Sequence, residues 1–418
     1  MPVSSPPVIT ADEAVSCIKN KMILSVNTMS AVSYPDALSK ALRNRFDATG
    51  EPKNLCFWGA TAQAMYALDV CFVRGTTADA MGNITAEKEA AYIDALQLAL
   101  ATKANGGKVI VQVERISTRK AHCKSILIPF VAVDYIVVDP DQRQTYIEPY
   151  NPAYCGETIL PAAHINAHMK SVLEKSGGFF APRRIEHYTI ARRAAQELHP
   201  GFVVNIGIGI PGLIPAIAAE NGIQDQISMT NEAGTIGGIP APAGSFGASL
   251  NPAYMTDMST MFDLYDGGML DLVCVGAAQI DARGNVNVGT IGPRVVGVGG
   301  FVNLTQASRK VVFCTTFTTK GLKTDYQDDR FTIITEGQTP KFISRLDQIS
   351  FNGDIAIEED RTVLYVTERC VFQLTPGGLE LIEIAPGVDI ETDIIAHMEF
   401  KPLIAKDLKL MDKDLFRI

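Results

Sequence analysis

The sequence predicts an α/β protein made of two similar open domains, each with a largely parallel sheet. Three observations carry this. Short β-branched runs alternate with helix-length amphipathic segments, an order that places helices on the faces of parallel strands. A stretch beginning at Ala11 recurs in the same order of elements from Ala191. A turn-rich break, with PYNPAY, PAAH and GGFFAPRR, falls between Pro149 and Arg184.

The strands are expected in KVIVQVERI from Lys108, VAVDYIVVD from Val131, FVVNI from Phe202, QISMTNE from Gln226, LVCVGAAQI from Leu272 and VVFCTTF from Val311. Several are apolar on both faces, as buried parallel strands are. Helices are expected from Thr10 (TADEAVSCIKNK), Thr85 (TAEKEAAYIDALQLALATKA), Ile190 (IARRAAQELH) and Thr339 (TPKFISRL). The Thr85 segment opens on Thr-Ala-Glu-Lys before apolar residues at helical spacing. In each copy of the repeat a helix leads to a short strand, a turn ending at Pro35 or Pro211, and a second helix. These signals set a first domain at 1–183, with a linker over 149–184, and a second at 184–418.

The 418 residues fit two or three domains, and 47% hydrophobic with 20% charged residues is an ordinary globular mix. A net charge of −9 argues against nucleic acid as a partner, because phosphate backbones need a basic surface. The eight cysteines show no CxxC pair and no metal-like spacing, and Cys274 and Cys314 sit inside apolar runs. Free thiols in a reducing compartment follow, and no metal site is expected. The N-terminal MPVSSPPVITADEAV shows no basic region leading into an apolar core. The apolar run FVVNIGIGIPGLIPAIAA contains Asn205, prolines and glycines and breaks into a strand-like and a helix-like half. The expectation is a soluble cytoplasmic protein without a membrane partner, with a mitochondrial location left open.

One segment stands apart. TNEAGTIGGIPAPAGSFGASLNP carries Glu232 as the only charged side chain between Asp225 and Asp257. A glycine-rich, nearly uncharged stretch of this length that still needs a defined path is a functional loop more often than a spacer. A carboxylate held there can act as a nucleophile. GIGIPG, with Gly207, Gly209 and Gly212, fits G-x-G-x-x-G between a strand and a helix, and Glu232 follows about 20 residues on, as in a dinucleotide fingerprint. That keeps an NAD-dependent oxidoreductase as an alternative. Against it stand Pro211 and Pro215 at the helix start, and the long glycine-proline stretch after the acid. GVGGF, from Gly297, is either a tight turn or a pocket of backbone N–H donors for an oxyanion. His164 and His168 are four apart but lack an HExxH setting, so surface histidines are favoured over a zinc pair.

Taken together, IARRAAQEL, VNIGIGIPGLIP, NEAGTIGGIPAPAGSFGAS, FDLYDGGMLDL, ARGNVNVG, GVGGFVNLTQ, FCTTFTTKGLK and IEIAPGVD resemble a family I CoA-transferase. The type resembled is the single-chain one acting on acetate, propionate and related short-chain acids. The match runs in order through residues 186–418, and VRGTTADAMGNITAEKEA and VVDPDQRQTYIEPYNPAYCGE extend it upstream. The resemblance implies CoA-transferase-like domains and CoA transfer between a short-chain acyl-CoA and an acetate, propionate or 3-oxoacid type of acid. Glu232 would be the nucleophile in an E-x-G-x-x-G-G setting with Gly234, Gly237 and Gly238. Acyl-glutamyl anhydride and glutamyl-CoA thioester intermediates are implied, as are short-chain fatty acid or ketone body metabolism and a homo-oligomer. Gly297, Gly299 and Gly300 would form the oxyanion or CoA-binding element. Coenzyme A would be a substrate, with no permanently bound cofactor.

The pattern departs from the family in the first domain. A long stretch is missing between CFWGATA and LDVCFVRGTT, near residues 62–68, so a truncated first domain is expected. The loop NTMSAVSYP replaces family glycines, as do Met269 and Lys320. A catalytically impaired homologue is therefore a further alternative.

Overall fold

The repeat and the alternation of elements recur in the computed structural model, which describes residues 5–28, 32–58, 68–176 and 184–417. The chain divides into two compact units, Met1–Ser176 with Asn231–Met261, and Gly177–Thr230 with Phe262–Ile418. The expected boundary at 183/184 falls outside the described residues, as does most of the expected gap near 62–68. The division also differs from a single cut, because the Glu232 segment returns to the first unit.

In the first unit five parallel strands are ordered β2-β1-β3-β6-β9: β1 Ile23–Val26, β2 Cys56–Trp58, β3 Val70–Arg74, β6 Lys108–Val113 and β9 Tyr135–Val138. A four-stranded sheet beside it joins β4 Thr77–Ala78, β5 Ile84–Thr85, β7 Arg115–Ile116 and β8 Ile126–Ile128. Strand alternation sends neighbouring residues to opposite faces. Cys71, Val73, Val109 and Val111 therefore pack on one side with Leu98 and Ala99 of the helix Ala95–Ala104. Phe72 and Ile110 pack on the other with Ala14, Val15 and Leu38 from the helices Ala11–Ser16 and Asp36–Thr49.

The helix expected from Thr85 begins only at Ala95. Thr85 instead lies in β5, and its hydroxyl donates to the Glu87 carboxylate at 2.5 Å, as does that of Thr77. Glu87 thus ties two strands together rather than closing a helix cap.

In the second unit eight strands are ordered β11-β10-β12-β13-β14-β15-β16-β17. They are β10 Val203–Ile206, β11 Ser228–Asn231, β12 Leu272–Gly276, β13 Lys310–Cys314, β14 Thr362–Val366, β15 Cys370–Thr375, β16 Gly378–Ile384 and β17 Leu403–Leu410. The run β11 to β14 is parallel, and β15 pairs antiparallel with both its neighbours. The helix Ile185–Ala195, β10, Pro211 and the helix Ile214–Glu220 repeat the order of the helix Ala11–Ser16, β1, Pro35 and the helix Asp36–Thr49. No helix among the described residues is long and apolar enough to cross a membrane.

The helix expected from Thr339 is absent. Thr339–Pro340 pairs antiparallel with Thr318–Thr319, and the backbone of Ile280 bonds Lys341 and Ile343 on either side of Phe342. The extended backbone meets those partners, which a helix would leave unpaired. The eight thiols are free; Cys71, Cys274, Cys314 and Cys370 are buried, while Cys56 and Cys123 are exposed.

Candidate active site

Glu232 directly follows β11 and is 8% exposed, with Ala233 fully buried beside it. The loop around it is fixed by backbone bonds within the first unit. Ile93 N–H donates to Ala233 O at 3.1 Å, Met258 N–H to Ile93 O at 2.7 Å, and Asp94 Oδ1 accepts from Ser259 Oγ at 3.0 Å. The Tyr92–Asp94 stretch is held in turn by Asn27, whose side-chain oxygen accepts from Asp94 N–H at 3.2 Å. Asn27 follows β1, inside the NTMSAVSYP loop; Met29–Ala31 of that loop lie outside the described residues.

The three glycines after the nucleophile candidate answer to space as well as backbone angle. Gly234 has φ +123°, and a Cβ there would stand 1.9 Å from Thr256 O, whose own N–H bonds Gly234 O. Gly238, at φ +72°, would place one 2.1 Å from Leu250 O, and Gly237, at φ +75°, 2.8 Å from Ala253 Cβ. Only glycine fits this folding of the loop onto its own return. That return pairs Thr235–Ile236 with Tyr254–Met255 and Ile239–Pro240 with Ser249–Leu250. Thr235 and Ser249 hydroxyls meet at 2.7 Å between them.

The far end of the loop is held by a buried polar cluster. Glu148 Oε2 accepts from Ser245 Oγ at 2.9 Å and Tyr154 OH at 2.7 Å, and Thr145 and Ser245 hydroxyls lie 2.9 Å apart. His168 Nε2 is 3.0 Å from Tyr154 OH and 3.5 Å from Glu148 Oε1. Burial holds the His168 imidazole below its ordinary value, against the pull of Glu148. Of the two HINAH histidines, His168 is thus part of a hydrogen-bonded cluster. No group of three or more His, Cys, Asp or Glu among the described residues is arranged to hold a metal ion. Asn251 exchanges bonds with Leu160, and Gly244 N–H donates to Ser176 Oγ at 2.9 Å. These contacts are why the segment belongs to the first unit.

In the second unit the GVGGF turn precedes the helix Phe301–Ala307. Gly297 and Gly299 have φ of +86° and +53°, and a Cβ on either would meet nothing within 4 Å. Gly297 N–H is already bonded to Gly289 O at 3.0 Å. The N–H groups of Gly299 and Gly300 have no hydrogen-bond partner among the described residues. At GIGIPG, Gly207 N–H donates to Cys274 O at 2.8 Å, and Pro211 and Pro215 have no N–H.

Sequence reasoning missed Asn27, Tyr92, Asp94, Glu148 and Ser245, because each acts through contacts distant in sequence. It also missed Lys341, whose Nζ donates to Thr315 Oγ1 at 2.6 Å just beyond β13. Burial pushes that amine down to about 8, with Glu368 opposing the shift.

The coenzyme A transferase family model matches residues 47–139 and 187–321, more than half of the chain. Caffeate CoA-transferase of Acetobacterium woodii is 42% identical over 360 residues, covering 84% of this chain and 66% of that protein. Acetate CoA-transferase YdiF of Escherichia coli K12 is 41% identical over 352 residues, covering 84% and 64%. The chain thus spans just under two thirds of the length of the curated relatives it matches. The acyl-CoA transferase YdiF of Escherichia coli O157:H7, solved as apoenzyme and as a thioester complex with CoA, superposes with TM-score 0.86 at 31% identity. That superposition covers 99% of this chain and 96% of the other, a wider share than the sequence matches give. The fold, the ordered motifs around Glu232 and these matches lead to one conclusion: the chain belongs to the coenzyme A transferase family.

Proposed function

We propose that this protein transfers coenzyme A between a short-chain acyl-CoA and a carboxylic acid of the acetate, propionate or 3-oxoacid type. The observation that carries the proposal is Glu232, a carboxylate only 8% exposed directly after β11, in a loop whose path its glycines and their backbone partners fix. A carboxylate is a weak nucleophile in water and becomes effective when desolvated and held against its target.

A Glu232 oxygen attacks the acyl-CoA carbonyl carbon, and the C–S bond breaks to release CoA thiolate and leave an acyl-glutamyl anhydride. The thiolate attacks the glutamyl carbonyl, releasing the first acid and forming a glutamyl-CoA thioester. The second acid's carboxylate then displaces the thiolate as a new mixed anhydride. The thiolate attacks its acyl carbonyl, giving the new acyl-CoA and restoring Glu232. The solved thioester complex of the YdiF relative with CoA supports a thioester step in this scheme. The proposal assigns the partnerless N–H groups of Gly299 and Gly300 as donors to an oxyanion or to CoA, with Gly297 shaping their turn. Acyl-CoA and small carboxylic acids are its partners, in a homo-oligomer.

Transfer from acetyl-CoA to propionate, followed by chromatography of the CoA esters, tests it. Propionyl-CoA should form with the native chain and not with Glu232→Gln; equal formation by both would overturn the proposal. The sequence coverage of the relatives favours a second reading, in which the same chemistry runs slowly. The family resemblance implies that the missing first-domain stretch supplies a side-chain partner to the oxyanion pocket, and losing one such donor costs about 10² to 10³ in rate. Restoring the family's stretch after Cys56–Ala62 should then raise turnover, and unchanged turnover would remove this reading.

A further inference from the structure

The β2 edge of the first unit's parallel sheet carries a cleft of about 660 Å³ that neither Glu232 nor the GVGGF turn lines. Its origin lies in the register of β2. Phe57 pairs with Leu24 of β1 and so shares its face, the one on which the helices Ala11–Ser16 and Asp36–Thr49 pack. Leu24 is fully buried there with Leu38 and Leu42, whereas Phe57, one strand further out, is 61% exposed. Phe46, about one turn beyond Leu42 on the helix, is 44% exposed. The helix thus covers β1 and leaves Phe57 of β2 uncovered, and the gap is the cleft.

The walls are apolar, built from Leu24, Val26, Leu42, Phe46, Leu55 and Phe57. No acidic side chain lines the cleft among the described residues, and its two cations differ. Arg43 Nε is held by Asp47 at 2.9 Å. Lys53 makes no ion pair, and its ammonium has no hydrogen-bond partner among the described residues. In a chain of net charge −9, this apolar cleft therefore offers one free positive charge and no competing acid.

The loop that presents Lys53 is fixed. Lys53 N–H donates to the Asn20 side-chain oxygen, Lys21 N–H to Lys53 O at 2.9 Å, and Cys56 N–H to Met22 O at 3.1 Å. Lys53 is itself exposed, so its ammonium stands where the cleft meets water. The volume lies within the range of small-molecule clefts. Apolar walls favour a hydrocarbon body, and a free ammonium favours a single anionic group at its end.

We propose that this cleft binds a medium-chain carboxylate, its hydrocarbon body between the helix Asp36–Thr49 and β2 and its carboxylate on Lys53. Acetate and propionate carry too little apolar surface to be held by such walls, so the ligand differs in class from the proposed transfer substrates. The cleft shares no lining residue with the Glu232 loop, and the inference does not rest on the transfer reaction.

The test is calorimetric titration of the full chain with decanoate, kept below its micelle-forming concentration. Native protein should bind it saturably, and each methylene added from hexanoate to decanoate should tighten binding about threefold to fourfold. K53Q should bind decanoate about tenfold or more weakly, while K53R keeps the charge and should stay within about threefold of native. F57Q alters an exposed side chain and should weaken binding about threefold or more. Saturating propionate should not displace decanoate, and Glu232→Gln should bind it as native does, which separates the cleft from the proposed transfer site. No saturable binding, equal binding by native and K53Q, or an affinity independent of chain length would overturn the site. So would unchanged binding by F57Q, displacement by propionate, or loss of binding in Glu232→Gln.

Discussion

The glycines after Glu232 and those of the GVGGF turn do opposite things with the space they leave. At Gly234, Gly237 and Gly238 the missing side chain is filled by the loop's own return, with the nearest atoms 1.9–2.8 Å from where a Cβ would be. At Gly297 and Gly299 the space is empty to 4 Å. The first set makes a fold possible; the second leaves room for something else to approach two N–H groups. Two glycine-rich motifs that look alike as sequence are thus a packing device in one unit and an open turn in the other.

Substitutions should separate the two. Gly234→Ala must meet Thr256 O and keep φ +123°, so it should cost about 3 kcal/mol or more, read as a fall in the urea midpoint. A loss below about 1 kcal/mol would mean the loop has another path. Ser245→Ala removes a donor from buried Glu148 and should cost about 1–3 kcal/mol by the same measurement. Gly299→Ala meets no atom and should cost only about 1–2 kcal/mol for its left-handed backbone. Its transfer rate should nonetheless fall, because the new methyl occupies the approach to the N–H pair. Full activity in Gly299→Ala would remove the donors from the account.

The smallest effect is a pH dependence. The His168 value is lowered in the folded chain, so the unfolded chain binds its proton more readily. The resulting stability is complete above the unfolded value of about 6.5 and is lost as pH falls through the lowered folded value. Thermal midpoints should therefore decline from pH 7 to pH 5 more in the native chain than in His168→Gln. Parallel declines would show that His168 does not contribute.

The parallel strands were legible because their β-branched runs are buried on both faces, as at Lys108–Val113 and Leu272–Gly276. The repeat was legible because element order survives when residues do not. The Thr85 and Thr339 segments misled because a capping pattern and helical spacing are local, whereas Glu87 bonds two strands and Ile280 captures the backbone around Phe342. Glu232 stood out through the emptiness of its surroundings. Its supports did not, since Asn27, Ile93 and Ser245 reach partners far along the chain. The return of Asn231–Met261 to the first unit is likewise set by bonds to Ile93, Glu148 and Leu160, which no periodicity encodes.

The central claim is that Glu232 carries coenzyme A covalently. Incubation with acetyl-CoA, borohydride reduction and peptide mass spectrometry measure this directly. Borohydride converts a glutamyl-CoA thioester to the alcohol, so the peptide containing Glu232 should lose mass corresponding to that change, and no other glutamate should. Glu232→Gln, whose amide is nearly the same shape but a far poorer nucleophile, should show no modified peptide and an unchanged circular dichroism spectrum. Reduction at a different glutamate, or of none in a chain that still transfers CoA, would contradict the account.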